Sequence, residues 1–197
     1  DVTELADLWE ASPIRLEDEV MTEDLVDELF PGNPLLCCGL HLRSDFGTGT
    51  REEWRGQLAG LQFIVPSPMT AEEGHRKTDG KPSLRTLENT GPRRFLVIEF
   101  DQGTIDSHAA VLWHLARLAP LVLVVHSGGK SLHGWCSCAG ADEDTLLRFM
   151  RFAVSLGADH ATWTRCQFVR MPVGLRPRRG AAPVRKQVYH FIPSNLS

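Results

Sequence analysis

The sequence predicts an α+β fold: a split βαβ antiparallel sheet with flanking helices, behind an acidic N-terminal part that is helical or a small α+β subdomain. Three observations predict it. From Arg94 onward, strand-like and helix-like runs follow one another in the order β-α-β-β-α-β, with one extra strand. The two middle strands are separated by Gly128-Gly129, a hairpin signal that makes them antiparallel. The first long helical run carries Ala109, Leu112, Leu115 and Ala116 at helical spacing, the pattern of a helix lying on one face of a sheet. The opposite face is then expected to be free for chemistry.

Each element follows from local chemistry. TEDLVDELF opens at Thr22 with a capping residue and an acidic first turn ahead of Leu25, Val26, Leu29 and Phe30, so it reads as a short amphipathic helix stopped by Pro31-Gly32. REEWRGQLAG reads as a second helix. LQFIVP, from Leu61, is a strand ended by Pro66 and Pro68. Residues 70–92 mix Gly, Pro, Ser, Thr and Lys without periodicity, which predicts a long mobile loop. RFLVIEFD is a strand, IDSHAAVLWHLARLA a helix, and LVLVVHS and LHGWCSCA the hairpin strands. EDTLLRFMRFAVSLG is a helix with a glycine stop, and CQFVRMP and KQVYHFIP are the last two strands. The boundaries expected are an acidic part over 1–60 and a core over 61–197.

A chain of 197 residues can bury a substantial core, and 42% hydrophobic with 23% charged residues is the composition of an ordinary soluble protein. The longest apolar run, Leu118 to Val125, is too short for a bilayer, and the N-terminus is acidic rather than a basic leader, so a cytoplasmic location is expected. Five cysteines, two of them adjacent, suit a reducing compartment. Cys136 and Cys138 would share one strand face, but no second pair lies at ligand spacing, so zinc is not expected.

The net charge of -4 conceals an asymmetry. Residues 1–30 hold eleven acids against Arg15 alone, whereas Arg165 to Lys186 holds seven basic residues and no acid. A second basic cluster runs from Arg76 to Arg94. Two such clusters in an acidic chain point to a polyanionic ligand.

The stretch HSGGKSLHGW imitates a phosphate loop. That loop needs a glycine five residues before the Gly-Lys pair and a helix after it; here the position is Val124 and a strand follows. As a hairpin, the stretch instead puts Ser131 and His133 on one face, about 7 Å apart along the strand. A hydroxyl beside an imidazole suits phosphate oxygens. Glu99 and Asp101 stand in the same i, i+2 relation at the end of an apolar strand, where two like charges favour a divalent cation.

Together these residues resemble the archaeo-eukaryotic primase superfamily, in its primase-polymerase and plasmid or phage replication-primase branch. The resemblance spans roughly Leu61 to Phe191. It rests on an acidic pair at a strand end, matched by Glu99 and Asp101 with Glu in place of the more usual Asp; on Ser-x-His, matched by Ser131 and His133; and on a third acid before a strand bearing arginine, matched by Asp159 and Arg170.

The resemblance implies a modified RRM-like catalytic fold and DNA-dependent nucleotidyl transfer, priming or extending strands on single-stranded DNA during replication of a phage, plasmid or other mobile element. It implies Mg²⁺ or Mn²⁺ held by Glu99, Asp101 and Asp159 in a two-metal site. Ser131, His133, Lys130, Arg170 and Arg176 would hold the triphosphate of an incoming NTP or dNTP. Arg165, Arg178, Arg179, Arg185 and Lys186, with Arg93 and Arg94, would follow the nucleic-acid backbone. A helicase domain or protein is an expected partner, the chain being a candidate fragment of a larger primase-helicase.

Two other classes compete. An inert RRM-like module binding single-stranded nucleic acid would present aromatic residues on the sheet, where this sequence presents carboxylates. A replication-initiator nuclease would need a His-hydrophobic-His pair and a tyrosine nucleophile, but the chain has one tyrosine, Tyr189, and no such pair.

Overall fold

A computed structural model describes residues 4–15 and 21–196. In chain order the helices and strands are α1 (Leu5–Glu10), α2 (Thr22–Leu29), β1 (Leu35–Gly39), β2 (Phe46–Thr50), β3 (Phe63–Ile64), β4 (Gly74–His75), β5 (Pro82–Ser83), β6 (Phe95–Ile98), α3 (Ile105–Leu115), β7 (Leu121–His126), β8 (Leu132–Ser137), α4 (Glu143–Ser155), β9 (Val169–Arg170), β10 (Leu175–Arg178), β11 (Ala181–Arg185) and β12 (Gln187–Phe191). The α+β class with antiparallel sheets stands.

The central sheet has the order β12-β7-β8-β6. β6 and β7 both pair antiparallel with β8, which lies between them, so β6-α3-β7 is a split βαβ unit. Helices α3 and α4 cover one face through Ala109, Leu112, Leu115, Leu146, Met150 and Ala153, packed on Leu96, Ile98, Val124, Leu132 and Cys136. Gly134 allows α3 to approach so closely that a Cβ there would collide with the Leu112 side chain.

The other face is not free. Residues of both parities in β6 are apolar, so both faces must leave water. Phe95, Val97, Leu123, Val125, Trp135 and Val188 pack against Leu25, Val26, Leu29 and Phe30 of α2 and its end, and against Leu36, Cys38, Ile64, Val169 and Met171. Several of these come from a second antiparallel sheet, β2-β1-β3-β9. Two further expectations fail here. REEWRGQLAG forms turns and a 3-10 segment at Leu58–Gly60 instead of a helix, its Gly56 holding a φ of +81° that an α-helix excludes. CQFVRMP contributes only Val169–Arg170, and these pair with β3 in the second sheet, not with the central one.

The acidic helices pack on the core. In α2, Glu23 and Asp27 grip the fully buried Arg51 at 2.6 and 2.7 Å. In α1, Leu8 is buried and its carbonyl receives His190 Nδ1 at 2.9 Å.

Residues 70–92 are pinned rather than loose. The Asn89 side chain accepts from the Thr86 backbone and hydroxyl, both at 2.8 Å, and donates to the Ala71 and Leu84 carbonyls. Arg85 stacks 4.2 Å over Phe168 and donates to the Cys166 carbonyl. Composition alone hid these contacts: the Asn89 bonds to Thr86 and Leu84 are local but have no periodicity, and those of Arg85 reach 81 residues along the chain to Cys166, and on to Phe168.

Candidate functional site

The two sheets meet at one end in a site with an acidic side and a cationic side. Glu99 leaves β6 with the parity of Phe95 and Val97, so its side chain turns toward the second sheet. There it faces Arg170 on β9, whose positive charge acts on its carboxyl group. His133 Nδ1 lies 3.2 Å from Glu99 Oε1 but out of hydrogen-bonding alignment, so that buried oxygen has no donor. Burial, with the negative charges of Asp159 and then Asp101 outweighing Arg170, pushes the Glu99 carboxyl up to about 7.

Asp159 reaches the site by its backbone, which donates to the Glu99 carbonyl at 2.8 Å, while its Oδ1 accepts from Ala161 N–H at 2.9 Å and opens the 3-10 turn His160–Trp163. Asp101 is exposed in the turn after β6. That turn is held by His108, whose ring stacks on Phe100 at 4.4 Å and whose Nε2 donates to the Gln102 carbonyl at 2.7 Å. Among the described residues, no three His, Cys, Asp or Glu side chains converge to chelate one ion as they stand.

Ser131 and His133 are buried on β8, and their Oγ and Nε2 lie 3.2 Å apart. Burial, then the positive charges of Arg170 and Arg176, pushes the His133 imidazole down to about 3. The ring is therefore neutral at physiological pH, and its contact with Glu99 is not an ion pair.

On the cationic side, Arg170 stacks 4.4 Å over Phe63, its partner in register. Arg176 of β10 donates to the Ser127 carbonyl at 3.3 Å and lies against Gly129, where a Cβ would strike its guanidinium. Arg178 donates to the Gly128 carbonyl at 3.3 Å. The Gly128-Gly129 turn of the hairpin thus serves as a bed for arginines, with Gly128 at a φ of +72°. Lys130 is exposed beside it.

Lys186 is misplaced by sequence reasoning. Expected on the exposed basic surface, it is 1% exposed, and its Nζ has no hydrogen-bond partner. Burial, then Arg170 and Arg176, lowers its ammonium to about 7. The signal was present in RKQVYHF: Lys186, Val188 and His190 share one parity and are all buried, while Arg185 and Gln187 are exposed.

The remaining basic residues divide. Arg178, Arg179 and Arg185 are exposed on the β10–β11 hairpin. Arg93 is occupied by Glu143 at 3.0 Å and stacks 3.9 Å over Trp163. Arg94 is partly buried and donates to the Leu29 carbonyl, and Arg165 donates to the Leu87 carbonyl at 3.0 Å. These three spend their guanidinium groups on the fold. Cys136 and Cys138 are both buried thiols, raised by burial to about 12 and about 11.

No protein-family model and no curated protein sequence matches the chain. In three dimensions it is similar to the AEP domain of the cyanophage S-2L primase-polymerase, with a TM-score of 0.52 over 87% of this chain and 92% of that one, at 14% identity. It also aligns with the polymerase domain of Mycobacterium tuberculosis ligase D, solved in complex with DNA, at a TM-score of 0.39, 16% identity, and 98% and 83% coverage. The first likeness is one of fold: the chain shares the architecture of an AEP domain.

Proposed function

We propose that the chain is a DNA-dependent nucleotidyltransferase of the primase-polymerase kind, belonging to the archaeo-eukaryotic primases, that makes or extends strands on single-stranded DNA in the replication of a mobile element. The observation that carries this reading is the division of one region between the two sheets into a carboxylate side and a cationic side. Glu99 and Asp159 lie on the first, with Asp101 exposed nearby, and Arg170, Arg176 and Lys186 on the second, around the Ser131–His133 pair. An inert binding sheet has no use for a buried carboxyl oxygen without a donor.

The donor set fits Mg²⁺ or Mn²⁺: the oxygens are hard, and Glu99 Oε1 is an orphaned buried acceptor. Glu99, Asp101 and Asp159 would hold the metal, the exposed Asp101 turning inward. Bound there, divalent ions would align the attacking hydroxyl with the α-phosphate and offset developing charge.

The chain's own groups would do the rest. Neutral His133 and the Ser131 hydroxyl donate to phosphate oxygens without drawing the triphosphate away from the acids. Arg170 and Arg176 offer fork-shaped donors to it, with Lys186 and the exposed Lys130 adding positive charge. Arg178, Arg179 and Arg185 would contact the template or primer backbone. A helicase domain or protein would supply unwound template.

Incorporation of labelled dNTP and NTP on single-stranded DNA, with Mg²⁺ and separately Mn²⁺, primed and unprimed, tests the reading. Metal-dependent product is expected, reduced at least about 100-fold in Asp101→Ala. Salt-sensitive DNA binding with no product under any condition would leave the inert RRM-like module instead.

A further inference from the structure

Among the described residues, Lys186 is a buried charge-bearing group of this region that neither an acid nor a side-chain hydrogen bond engages. Its backbone N–H donates to the Gly174 carbonyl at 3.0 Å, which fixes the residue at the start of β12. Its Nζ is buried without a partner. The charged and titratable groups acting on this neighbourhood are Arg170 from β9, Arg176 from β10, and His133 from β8; no acid pairs with the amine among the described residues. An amine kept dry among cations gives up its proton far more readily than a surface lysine.

We infer that Lys186 is the general acid of the reaction, donating a proton to the leaving pyrophosphate. This rests on the nucleotidyl-transfer reading and goes beyond it, since a clamp for the triphosphate needs only charge. In the step, the primer 3′ oxygen forms its bond to the α-phosphorus as the bond from that phosphorus to the oxygen bridging to the β-phosphate breaks. The electron pair of the broken bond stays on that oxygen, which takes a proton from Lys186 Nζ. The 3′ hydroxyl proton passes to water, and the neutral amine regains a proton from solvent after pyrophosphate departs. Arg170 and Arg176 serve the step twice: empty, they weaken the hold of the amine on its proton, and loaded, they are neutralised by the phosphates so that the amine enters the reaction charged. Arginine in place of Lys186 would keep the charge and withhold the proton.

The test is single-turnover incorporation on a primed template with Mn²⁺, comparing the protein with Lys186→Arg and Lys186→Leu. Three substrates are used: ordinary dNTP and analogues with CF₂ or CH₂ in place of the β,γ-bridging oxygen, whose leaving groups differ in basicity. Thermal melts of each variant establish that it is folded. The expected result is a fall of about 100-fold in rate for both variants, with nucleotide KM changed much less, and a steeper dependence on leaving-group basicity than the unaltered protein has. A wild-type rate in Lys186→Arg, a change confined to KM, or an unaltered leaving-group dependence in both variants would overturn the assignment and leave Lys186 a phosphate clamp. No incorporation by the unaltered protein would overturn the nucleotidyl-transfer reading itself, and this assignment with it.

Discussion

Glu99 and Lys186 are opposite charges treated alike by burial, and their titrations occupy adjacent pH windows. The Glu99 carboxyl, raised from 4.5 to about 7, holds its proton more tightly in the folded chain than in the unfolded one. Its contribution to stability is therefore full below 4.5 and lost as pH rises through 7. Lys186, lowered from 10.5 to about 7, works the other way: its contribution is present above 10.5 and lost as pH falls through 7. Glu99→Gln, which keeps the shape and removes the titration, is expected to flatten the decline between pH 4.5 and 7 and to stabilise the metal-free protein at pH 8 by about 2 kcal/mol. Thermal melts across that range check it, and a variant with the same pH slope as the parent would show that Glu99 is not the group responsible. The same raised carboxyl makes any divalent cation compete with a proton, so its binding would strengthen as pH rises through 7.

The β7–β8 hairpin explains why a phosphate-loop signature stands in a strand-rich chain. Its glycines make room for arginines of β10 instead of cradling phosphate by themselves. Gly129→Ala separates the two roles. The added methyl meets the far end of a flexible side chain, so the fold can absorb it, and the stability change is expected to stay within about 0.5 kcal/mol. Arg176, however, would be displaced from its bed, and nucleotide KM is expected to rise about tenfold. Unchanged KM in a kinetic titration would mean that Arg176 does not need the glycine to act. The turn was readable from Gly128-Gly129, but its occupant was not, because β10 lies 47 residues further along the chain. The strand CQFVRMP misled for a related reason: alternation identifies a strand but not the sheet it joins.

Across the whole molecule, charge is sorted by position rather than by composition. Glu23 and Asp27 of α2 are consumed by buried Arg51, and Arg93, Arg94 and Arg165 are consumed by the fold. Of the arginines expected to follow the nucleic-acid backbone, those left exposed are Arg178, Arg179 and Arg185 on the β10–β11 hairpin. Replacing Arg178, Arg179 and Arg185 together by Gln is expected to reduce the salt dependence of single-stranded DNA binding, the slope of log K against log salt becoming shallower by about 2. Fluorescence titrations at several salt concentrations measure it; an unaltered slope would move the nucleic-acid path elsewhere on the surface.

The sequence by itself determined the alternation of elements, the β7–β8 hairpin, and the parity that sets Ser131 beside His133. These depend on neighbours two to four residues apart, where side-chain period and turn chemistry act directly. It did not show that β6 ends at Ile98 and leaves Asp101 exposed in the turn beyond. Only the tertiary structure decided that a second sheet covers the face expected to be open. It also decided that Arg170 faces the Glu99 carboxyl and that Lys186 turns inward while Arg178 turns out. Those outcomes depend on which distant apolar surfaces meet, since burial of both faces of β6 and removal of a lysine from water are set by the partner surface and not by the local chain.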